Sequence, residues 1–204
     1  MKLYFSPGAC SLAPHIVLQE AGLPAEIERV DLRSKKTATG ADYMAINPKG
    51  YVPALQLSDG ELLTEVTTIL QYLADLAPQS KLAPAFGTIE RYRLLEWLNF
   101  IATEVHKGFA PTFNPKQPEE AKQLAVEGLQ RRFDYLQAQL EGHDFLMGTT
   151  FTVADCYLFT TLRWTKYVGI DLERWPVLAA YVARIGARPS VLAAVAAEKA
   201  APAP

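Results

Sequence analysis

The sequence predicts an α/β domain over residues 1–78, followed by an all-α domain over residues 88–204. In the first half, short apolar runs typical of strands are separated by turn residues and by two helical patterns. In the second half, every apolar stripe has helical spacing. Residues 79–87 lie in a stretch with two prolines and a glycine and are predicted to be a linker.

The composition is that of an ordinary soluble protein and excludes several classes of function. Of the 204 residues, 50% are hydrophobic and 21% are charged, and the formal net charge is −2. Neither this charge nor any Lys/Arg-rich run points to nucleic acid or a membrane as a partner. Cys10 and Cys156 make no disulfide framework and fit a reducing compartment. No apolar N-terminal stretch resembles a signal peptide, so we expect a cytoplasmic protein.

The first three elements are predicted to be a strand, a helix and a strand. Residues 2–5 form the first strand, and a turn leads from it into a helix over residues 11–21. Gly22 is a typical residue for the end of that helix. Residues 27–32 form the second strand.

The rest of the first half is predicted to be a hairpin followed by a helix. Residues 47–50 form a turn and residues 51–57 a strand. The Asp-Gly pair at 59–60 is a strong hairpin signal, so residues 61–64 pair with that strand. A helix follows, because apolar residues recur at helical spacing at Val66, Ile69, Leu70 and Leu73. The predicted order is β-α-β-(loop or helix)-β-β-α.

Four apolar stripes in the second half predict the helices of a compact bundle. They are Leu94, Leu98, Ile101, Ala102 and Val105; Leu129, Phe133, Leu136 and Leu140; a weaker set of Val153, Tyr157, Thr161 and Leu162; and Leu178, Tyr181, Val182 and Ile185. From residue 193 onward the chain is rich in alanine and ends Ala-Pro-Ala-Pro, which predicts a frayed tail.

Cys10 lies where the first strand gives way to the first helix and is the most informative residue of the chain. A thiol at a helix N-terminus meets the positive end of the helix dipole and unpaired backbone N–H groups. Both favour the thiolate, which is the nucleophilic form. Spacing alone equally allows a small buried cysteine, because free cysteines are among the most buried residues.

Pro53 stands inside a strand pattern, where its missing N–H is unfavourable. A cis Val52–Pro53 bond at the start of the strand would expose the Val52 backbone for pairing with an extended peptide. A proline on an edge strand, without any function, is the alternative.

Charged residues near the third helix could hold the head group of an amino acid. Glu65 opens that helix, whose N-terminus is an anion site, and its carboxylate could hold an ammonium beside that anion. Lys35 and Lys36 could neutralise a second carboxylate. The alternatives are a carboxylate that only complements the helix dipole and lysines that are only solvated.

The first bundle helix carries a polar stripe of Asn99, Thr103 and His106, followed by Lys107. The stripe either belongs to a site or is the wet face of an amphipathic helix. His106 could also be a helix-terminal histidine that the C-terminal dipole favours. The chain has three histidines without metal-ligand spacing, so no metal is expected.

These features together describe a pocket for a short, doubly carboxylated peptide that carries a thiol. The chain resembles the bacterial glutathione transferases, and specifically the cysteine-containing beta class. The matching segments span essentially the whole chain in register: MKLYFSPGACSLAPHI at 1–16, NPKG at 47–50, VPAL at 52–55, LTE at 63–65, QYLAD at 71–75, WLNF at 97–100, EVHK at 104–107 and FTVAD at 151–155.

The resemblance implies a thioredoxin-like N-terminal domain, an all-α C-terminal domain and a homodimer. It implies glutathione as co-substrate and no permanently bound cofactor. Cys10 would face the glutathione sulfur, and the Val52 backbone would pair with the cysteinyl unit. Glu65 and the Val66 backbone would hold the γ-glutamyl head.

The resemblance also implies residues for the other end of glutathione. Three residues would lie toward the glycyl end and the thiol: Lys35, His106 and Lys107. Three more would support them: Asn99, Thr103 and Glu104. Thr152 and Asp155 match a structural capping box of the family. One position departs from the pattern: Val66 stands where the family usually has Gly, Ser or Thr. The missing hydroxyl would cost about 1 kcal/mol of binding.

The predicted function is attack of the glutathione thiolate on hydrophobic electrophiles, bound between the domains. Candidates for an apolar wall are Phe109, Phe113, Trp164 and Tyr167, for which core packing is the alternative. Thiol–disulfide exchange through Cys10 is open only by a monothiol route, because Ala13 stands at the second position of a C-x-x-C pattern. A non-enzymatic regulatory or scaffold protein on the same fold is the alternative function.

Overall fold

Strand β1 lies at the centre of a five-stranded sheet in the computed structural model, which describes all residues from Met1 to Pro204. The sheet order is β3-β2-β1-β4-β5, with β1 parallel to β2 and every other pairing antiparallel. The strands are β1 (Lys2–Phe5), β2 (Glu26–Asp31), β3 (Lys36–Thr37), β4 (Ala54–Gln56) and β5 (Leu62–Thr64).

Three helices belong to the same half of the chain: α1 (Leu12–Ala21), α2 (Tyr43–Ile46) and α3 (Val66–Leu76). Helix α1 is buried along most of its length, and its end is set by Gly22. That glycine has φ +63°, and its N–H reaches the carbonyls of Leu18 and Gln19. A left-handed glycine that closes the last turn is the expected helix stop, so this prediction is confirmed.

Alternation along β1 supplies both faces of the sheet with apolar side chains. Leu3 and Phe5 are fully buried, and Tyr4 between them points to the other face. There Tyr4 packs in a cluster whose other buried members are Val30, Tyr43, Val52 and Ala54. This cluster lies under the loop that precedes β4 and holds Val52 in the core.

The predicted order of elements is confirmed, with two refinements. The position left open as loop or helix contains the short β3 and the single-turn α2. The strand predicted over residues 51–57 is confined to Ala54–Gln56, because residues 50–53 leave the ladder and form a loop. The hairpin turn at 58–60 is present, with Gly60 at φ +92°.

The second half is helical, as predicted. Its helices are α4 (Ile89–Phe100), which continues as a π-helical turn (Ile101–His106) and a 3-10 turn (Lys107–Phe109), then α5 (Ala110–Phe113), α6 (Glu119–Leu140), α7 (Val153–Leu162) and α8 (Pro176–Gly186). Leu94, Leu98 and Ile101 of the first stripe are almost wholly buried, as is the whole α6 stripe from Leu129 to Leu140.

The apolar stripe of helix α7 is weak in the sequence because the whole helix is buried. Every residue from Val153 to Leu162 is buried, so the helix has no wet face for a pattern to contrast with. Its N-terminus carries the predicted capping box: the Asp155 carboxylate accepts the Thr152 N–H at 2.8 Å. Asp155 also accepts the Leu146 N–H and the Tyr181 hydroxyl, so one buried carboxylate ties α7 to α8.

The prediction of a frayed C-terminal tail from residue 193 onward is wrong up to Ala200, and residues 201–204 alone lie beyond the last helix. Residues from Pro189 to Ala200 form α9, which packs against α1 and buries Val191, Ala194 and Glu198. The Glu198 carboxylate accepts the Gly8 N–H at 2.9 Å and lies 3.3 Å from His15 Nδ1. Alanine-rich sequence has high helix propensity, and these tertiary contacts keep the helix from fraying.

The contacts divide the chain into two compact units. The first unit comprises Met1–Leu82 and Ala187–Pro204, and the second comprises Ala83–Gly186. The break after Leu82 falls inside the predicted linker. The last helix belongs to the first unit, whereas the sequence pattern groups it with the bundle, because its buried face meets α1.

No single helix combines the length and apolar composition needed to cross a membrane. Two consecutive helices, Pro176–Gly186 and Pro189–Ala200, meet that test only when they are taken together.

Glu198→Ala should lower the free energy of unfolding by about 1–3 kcal/mol, because the buried His15 and the Gly8 N–H lose their acceptor. Urea denaturation of the full chain measures this. Glu198→Gln keeps one acceptor oxygen and should lose less, and Lys199→Ala at the exposed neighbouring position is the matched control. Equal stability of Glu198→Ala and Lys199→Ala would contradict the role of Glu198.

Candidate functional site

Cys10 lies in the turn directly before α1, half-buried, as the sequence predicts. Its thiol donates to the Val52 carbonyl, with Sγ and O 3.2 Å apart. A carbonyl can only accept, so in this contact the sulfur carries its proton. The Cys10 thiol and the Val52 backbone, which are two separate predictions from the sequence, are therefore joined by a hydrogen bond within the first unit.

Three further side chains brace the loop that carries Val52. Lys35 Nζ donates to the Gly50 carbonyl at 2.8 Å. The Tyr43 hydroxyl and the Asn47 amide both donate to the Tyr51 carbonyl, at 2.7 and 2.9 Å. Burial raises the pKa of Tyr43 to about 12, so its hydroxyl keeps the proton that it donates. The loop backbone is satisfied by side chains instead of by a strand ladder.

Gly50 is required where this loop turns. Its φ is +67°, and a Cβ there would lie 2.9 Å from Met44 Sδ and 3.4 Å from Lys35 Nζ. Both the left-handed backbone and the close approach of Lys35 therefore favour glycine. The Val52–Pro53 peptide bond that follows is cis, one of the two conformations that the sequence leaves open.

Lys35 is half-buried and has φ 57°, an uncommon conformation for a residue other than glycine. Its ammonium has three donor hydrogens, of which the Gly50 carbonyl takes one. Two remain for an anionic ligand. Lys36, the other candidate of the pair, is exposed in β3.

Glu65 stands at the N-terminus of α3 with its side chain exposed and φ 72°. Its carboxylate is paired with Lys49, whose Nζ lies 2.6 Å from Oε1 and 3.0 Å from the Thr64 hydroxyl. Positive φ at a residue other than glycine is a strained conformation that is concentrated at functional sites. Lys49 lies in a predicted turn without a predicted role, because nothing in the sequence spacing pairs it with Glu65.

Val66 begins α3, and its side chain is buried. As the first helical residue, it has an N–H that no carbonyl of the same helix can accept. The backbone donor expected at this position is therefore present, and the valine side chain serves the core. A serine at this position would gain a hydroxyl but lose apolar burial.

In the second unit, a π-helical turn interrupts the helix that carries the polar stripe. A π turn holds more residues than an α turn, so residues beyond it are rotated about the helix axis relative to those before it. Asn99 and Thr103 are exposed, and the Thr103 hydroxyl donates to the Asn99 carbonyl. His106, at the end of the turn, is half-buried instead. The predicted polar stripe is therefore split into an exposed part, Asn99 and Thr103, and a half-buried residue, His106.

His106 lies among aromatic side chains. Its Nδ1 is 2.6 Å from the Tyr157 hydroxyl, and its ring packs edge-on against Trp164 at 4.9 Å between centroids. Burial, and secondarily the charge of Lys107, lower the pKa of His106 from 6.5 to about 4. The ring is therefore neutral at physiological pH, so His106 is not a cation that the helix dipole favours. Tyr157 was predicted only as a member of an apolar stripe, because 51 residues separate it from His106 in the sequence.

The two charged candidates of this helix, Glu104 and Lys107, differ in their surroundings. Glu104 is held by Arg132, whose Nη2 and Nε lie 2.6 and 3.0 Å from Oε2. Its carboxylate is thus engaged by α6. Lys107 is exposed and follows the π turn directly.

Three of the four aromatic candidates come together. Phe109 and Phe113 are stacked at 6.0 Å, and Trp164 meets both of them edge-on. Phe109 is fully buried and Phe113 is 48% exposed, so Phe113 forms the accessible edge of this cluster. Tyr167 is 65% exposed and packs with Lys166, not with the other three rings. Nowhere in the chain do three His, Cys, Asp or Glu side chains gather as a metal site would need.

The chain matches a known protein family in both halves. Residues 8–76 match the glutathione S-transferase N-terminal domain and residues 100–189 the C-terminal domain. The chain is 48% identical to glutathione S-transferase GstA of Escherichia coli O157:H7, over 97% of this chain and 98% of that one. The chain belongs to the glutathione S-transferase family.

Solved structures of the glutathione S-transferase family agree with the fold. A bacterial beta-class glutathione S-transferase of Sphingomonas chungbukensis has a TM-score of 0.94 at 48% identity, covering 97% of this chain and 98% of that one. A sphingomonad glutathione S-transferase complexed with glutathione has a TM-score of 0.95 at 50% identity, covering 98% and 100%. The predicted family, the thioredoxin-like and helical fold class and the transferase activity are confirmed. The non-enzymatic alternative is not supported.

The neutral state of His106 can be tested directly. Its ring should titrate near pH 4 in NMR spectra, in which the His106 signal is assigned by its loss in His106→Gln. Because this pKa lies below 6.5, the unfolded chain takes up the proton first as the pH falls. His106 should therefore make folding less stable between about pH 6.5 and pH 4, and His106→Gln should lack this loss.

Lys107→Gln is the control, because removing that charge should raise the pKa of His106 slightly. A His106 midpoint near 6.5 would mean that the ring is solvated.

Proposed function

We propose that the first unit binds reduced glutathione in an extended conformation and that the enzyme transfers its thiolate to hydrophobic electrophiles. The observation that carries this proposal is the 3.2 Å contact between Cys10 Sγ and the Val52 carbonyl. An extended peptide that pairs with the Val52 backbone brings its own side chain beside that carbonyl. A cysteinyl residue at that position puts its sulfur next to the Cys10 thiol.

The γ-glutamyl head is proposed to bind at the start of α3. This head carries an ammonium and a carboxylate on one carbon. The free N–H groups and the dipole of an 11-residue helix favour the carboxylate. The exposed Glu65 carboxylate favours the ammonium, and Val66 contributes its backbone N–H. Glu65 has lone pairs enough for both Lys49 and the ligand.

The glycyl carboxylate is proposed to bind the two remaining donor hydrogens of Lys35. The family resemblance adds His106 and Lys107 toward this end and toward the thiol. Since His106 is neutral, we assign the positive charge to Lys107 and hydrogen bonding to His106. The supporting roles proposed for Asn99, Thr103 and Glu104 act through the helix, and Arg132 holds Glu104 in place.

The electrophile is proposed to contact the Phe113 edge of the aromatic cluster that also contains Phe109 and Trp164. Exposed aromatic surface next to buried rings offers both area and rigidity to an apolar substrate. Tyr167 remains a separate candidate, because it lies outside the ring contacts of this cluster.

The protein is further proposed to act as a cytoplasmic homodimer in detoxification, with glutathione as co-substrate and no permanently bound cofactor. Two free cysteines fit a reducing compartment. A closed two-fold dimer is the commonest assembly of soluble proteins.

Glu65→Gln should weaken glutathione binding by about 10- to 100-fold, because a charged hydrogen bond to the ligand ammonium is lost. Isothermal titration calorimetry of the full chain measures this. Lys49→Met is the matched control: it breaks the same ion pair from the other side and leaves the carboxylate in place. Its affinity should stay within about 3-fold, since exposed ion pairs are worth little.

Unchanged affinity in folded Glu65→Gln would remove Glu65 from the site. A large loss in Lys49→Met would show that the ligand binds Lys49 instead.

Cys10→Ala should abolish glutathione-dependent disulfide exchange but reduce conjugation only in part. Exchange needs a nucleophilic thiol, Ala13 offers no second one, and Cys156 is fully buried. Conjugation uses the sulfur of glutathione itself, so the helix N-terminus still favours its thiolate. Mass spectrometry should find a glutathione adduct on wild type but not on Cys10→Ala. An adduct at Cys156 would refute the assignment.

A further inference from the structure

Tyr157 contacts His106 through the only hydrogen bond that the His106 ring makes within the chain. The phenol oxygen lies 2.6 Å from Nδ1, and the two rings are nearly perpendicular, at 87°. Tyr157 is 2% exposed, so its hydroxyl cannot rely on bulk water. A buried hydroxyl needs an acceptor inside the protein.

The short distance favours the phenol as the donor. An N–H donor to oxygen normally lies 2.7–3.2 Å from it, whereas O–H donors reach 2.5–3.0 Å. At 2.6 Å the contact fits a phenol O–H that donates to nitrogen. The neutral ring agrees with this, because one of its nitrogens must be an acceptor.

We propose that Tyr157 is a positioning residue whose hydroxyl donates to His106 Nδ1 and so holds the ring proton on Nε2. Trp164 packs edge-on against the same ring, at 4.9 Å and 70°, and limits its rotation. A hydrogen bond at one nitrogen determines the tautomer and with it the chemistry of the other nitrogen.

This tautomer decides how His106 takes part in the transfer, and this step rests on the proposed function. Nδ1 is occupied by Tyr157, and Nε2 carries a proton, so the ring has no free nitrogen with which to act as a general base. His106 instead donates a hydrogen bond from Nε2. The group that it stabilises is an anion: the glutathione thiolate or the charge that develops on the electrophile.

NMR of the full-length protein with 15N-labelled histidine tests the tautomer without any activity measurement. Two-bond nitrogen–proton correlations distinguish a protonated ring nitrogen from an unprotonated one. In wild type at pH 7, His106 should show a protonated Nε2 and an unprotonated Nδ1. A proton on Nδ1 would overturn the proposal, even if Tyr157→Phe fails to fold.

Tyr157→Phe should convert His106 to a mixture of the two tautomers. Tyr181→Phe is the matched control, because it removes another buried hydroxyl of the same unit, one that donates to Asp155 at 2.8 Å. It should lower stability and leave the His106 spectrum unchanged. An unchanged tautomer in Tyr157→Phe, or an equal change in both variants, would show that Tyr157 does not position the ring.

Kinetics give a second readout. Tyr157→Phe should lower kcat for conjugation by about 2- to 10-fold, the effect of one net hydrogen bond, with the KM for glutathione little changed. His106→Gln, whose amide nitrogen can stand in for Nε2–H, should keep more activity than His106→Asn, whose amide is placed like Nδ1. The reverse order would overturn the donor role. The spectra decide the tautomer whether or not wild type conjugates glutathione, so failure of the proposed function would be seen separately.

Discussion

The backbone of residues 50–52 is the feature on which the first unit depends. This loop lies outside the sheet, so its carbonyls cannot be satisfied by a strand ladder and must find side chains. Lys35, Tyr43, Asn47 and Cys10 supply the donors, from four separate places along the sequence. The core cluster beneath Val52 holds the same loop from the other side. The backbone that these side chains brace is therefore the same backbone that the Cys10 thiol contacts.

In the second unit the polar ring of His106 must be accommodated among aromatic side chains. The π turn before His106 rotates the ring away from the exposed stripe of Asn99 and Thr103. Burial then disfavours the charged ring, and a tyrosine hydroxyl satisfies one nitrogen. In these surroundings His106 is a neutral hydrogen-bonding group and not a cation.

Several charged side chains of this protein are engaged by other residues of the chain. Glu104 is bound by Arg132 and Glu65 by Lys49. Asp155 accepts four hydrogen bonds within the helical unit, from Leu146, Thr152 and Tyr181. Glu198 joins the last helix to the turn before Cys10 in the same way. Lys107 is exposed, and the Lys35 ammonium keeps two donor hydrogens beyond the one that the Gly50 carbonyl accepts.

The family was indicated by resemblance, from motifs along the whole chain. The sequence by itself also determined the order of elements, the helix stop at Gly22 and the capping box. These features are local, and short-range patterns of turn residues and apolar spacing specify them. Only the tertiary structure decided that the alanine-rich tail docks on α1, that Val66 serves the core, that Lys49 pairs with Glu65 and that Tyr157 meets His106. Each of these depends on contacts between residues far apart in sequence or on burial, and neither has a signature in the spacing of one chain.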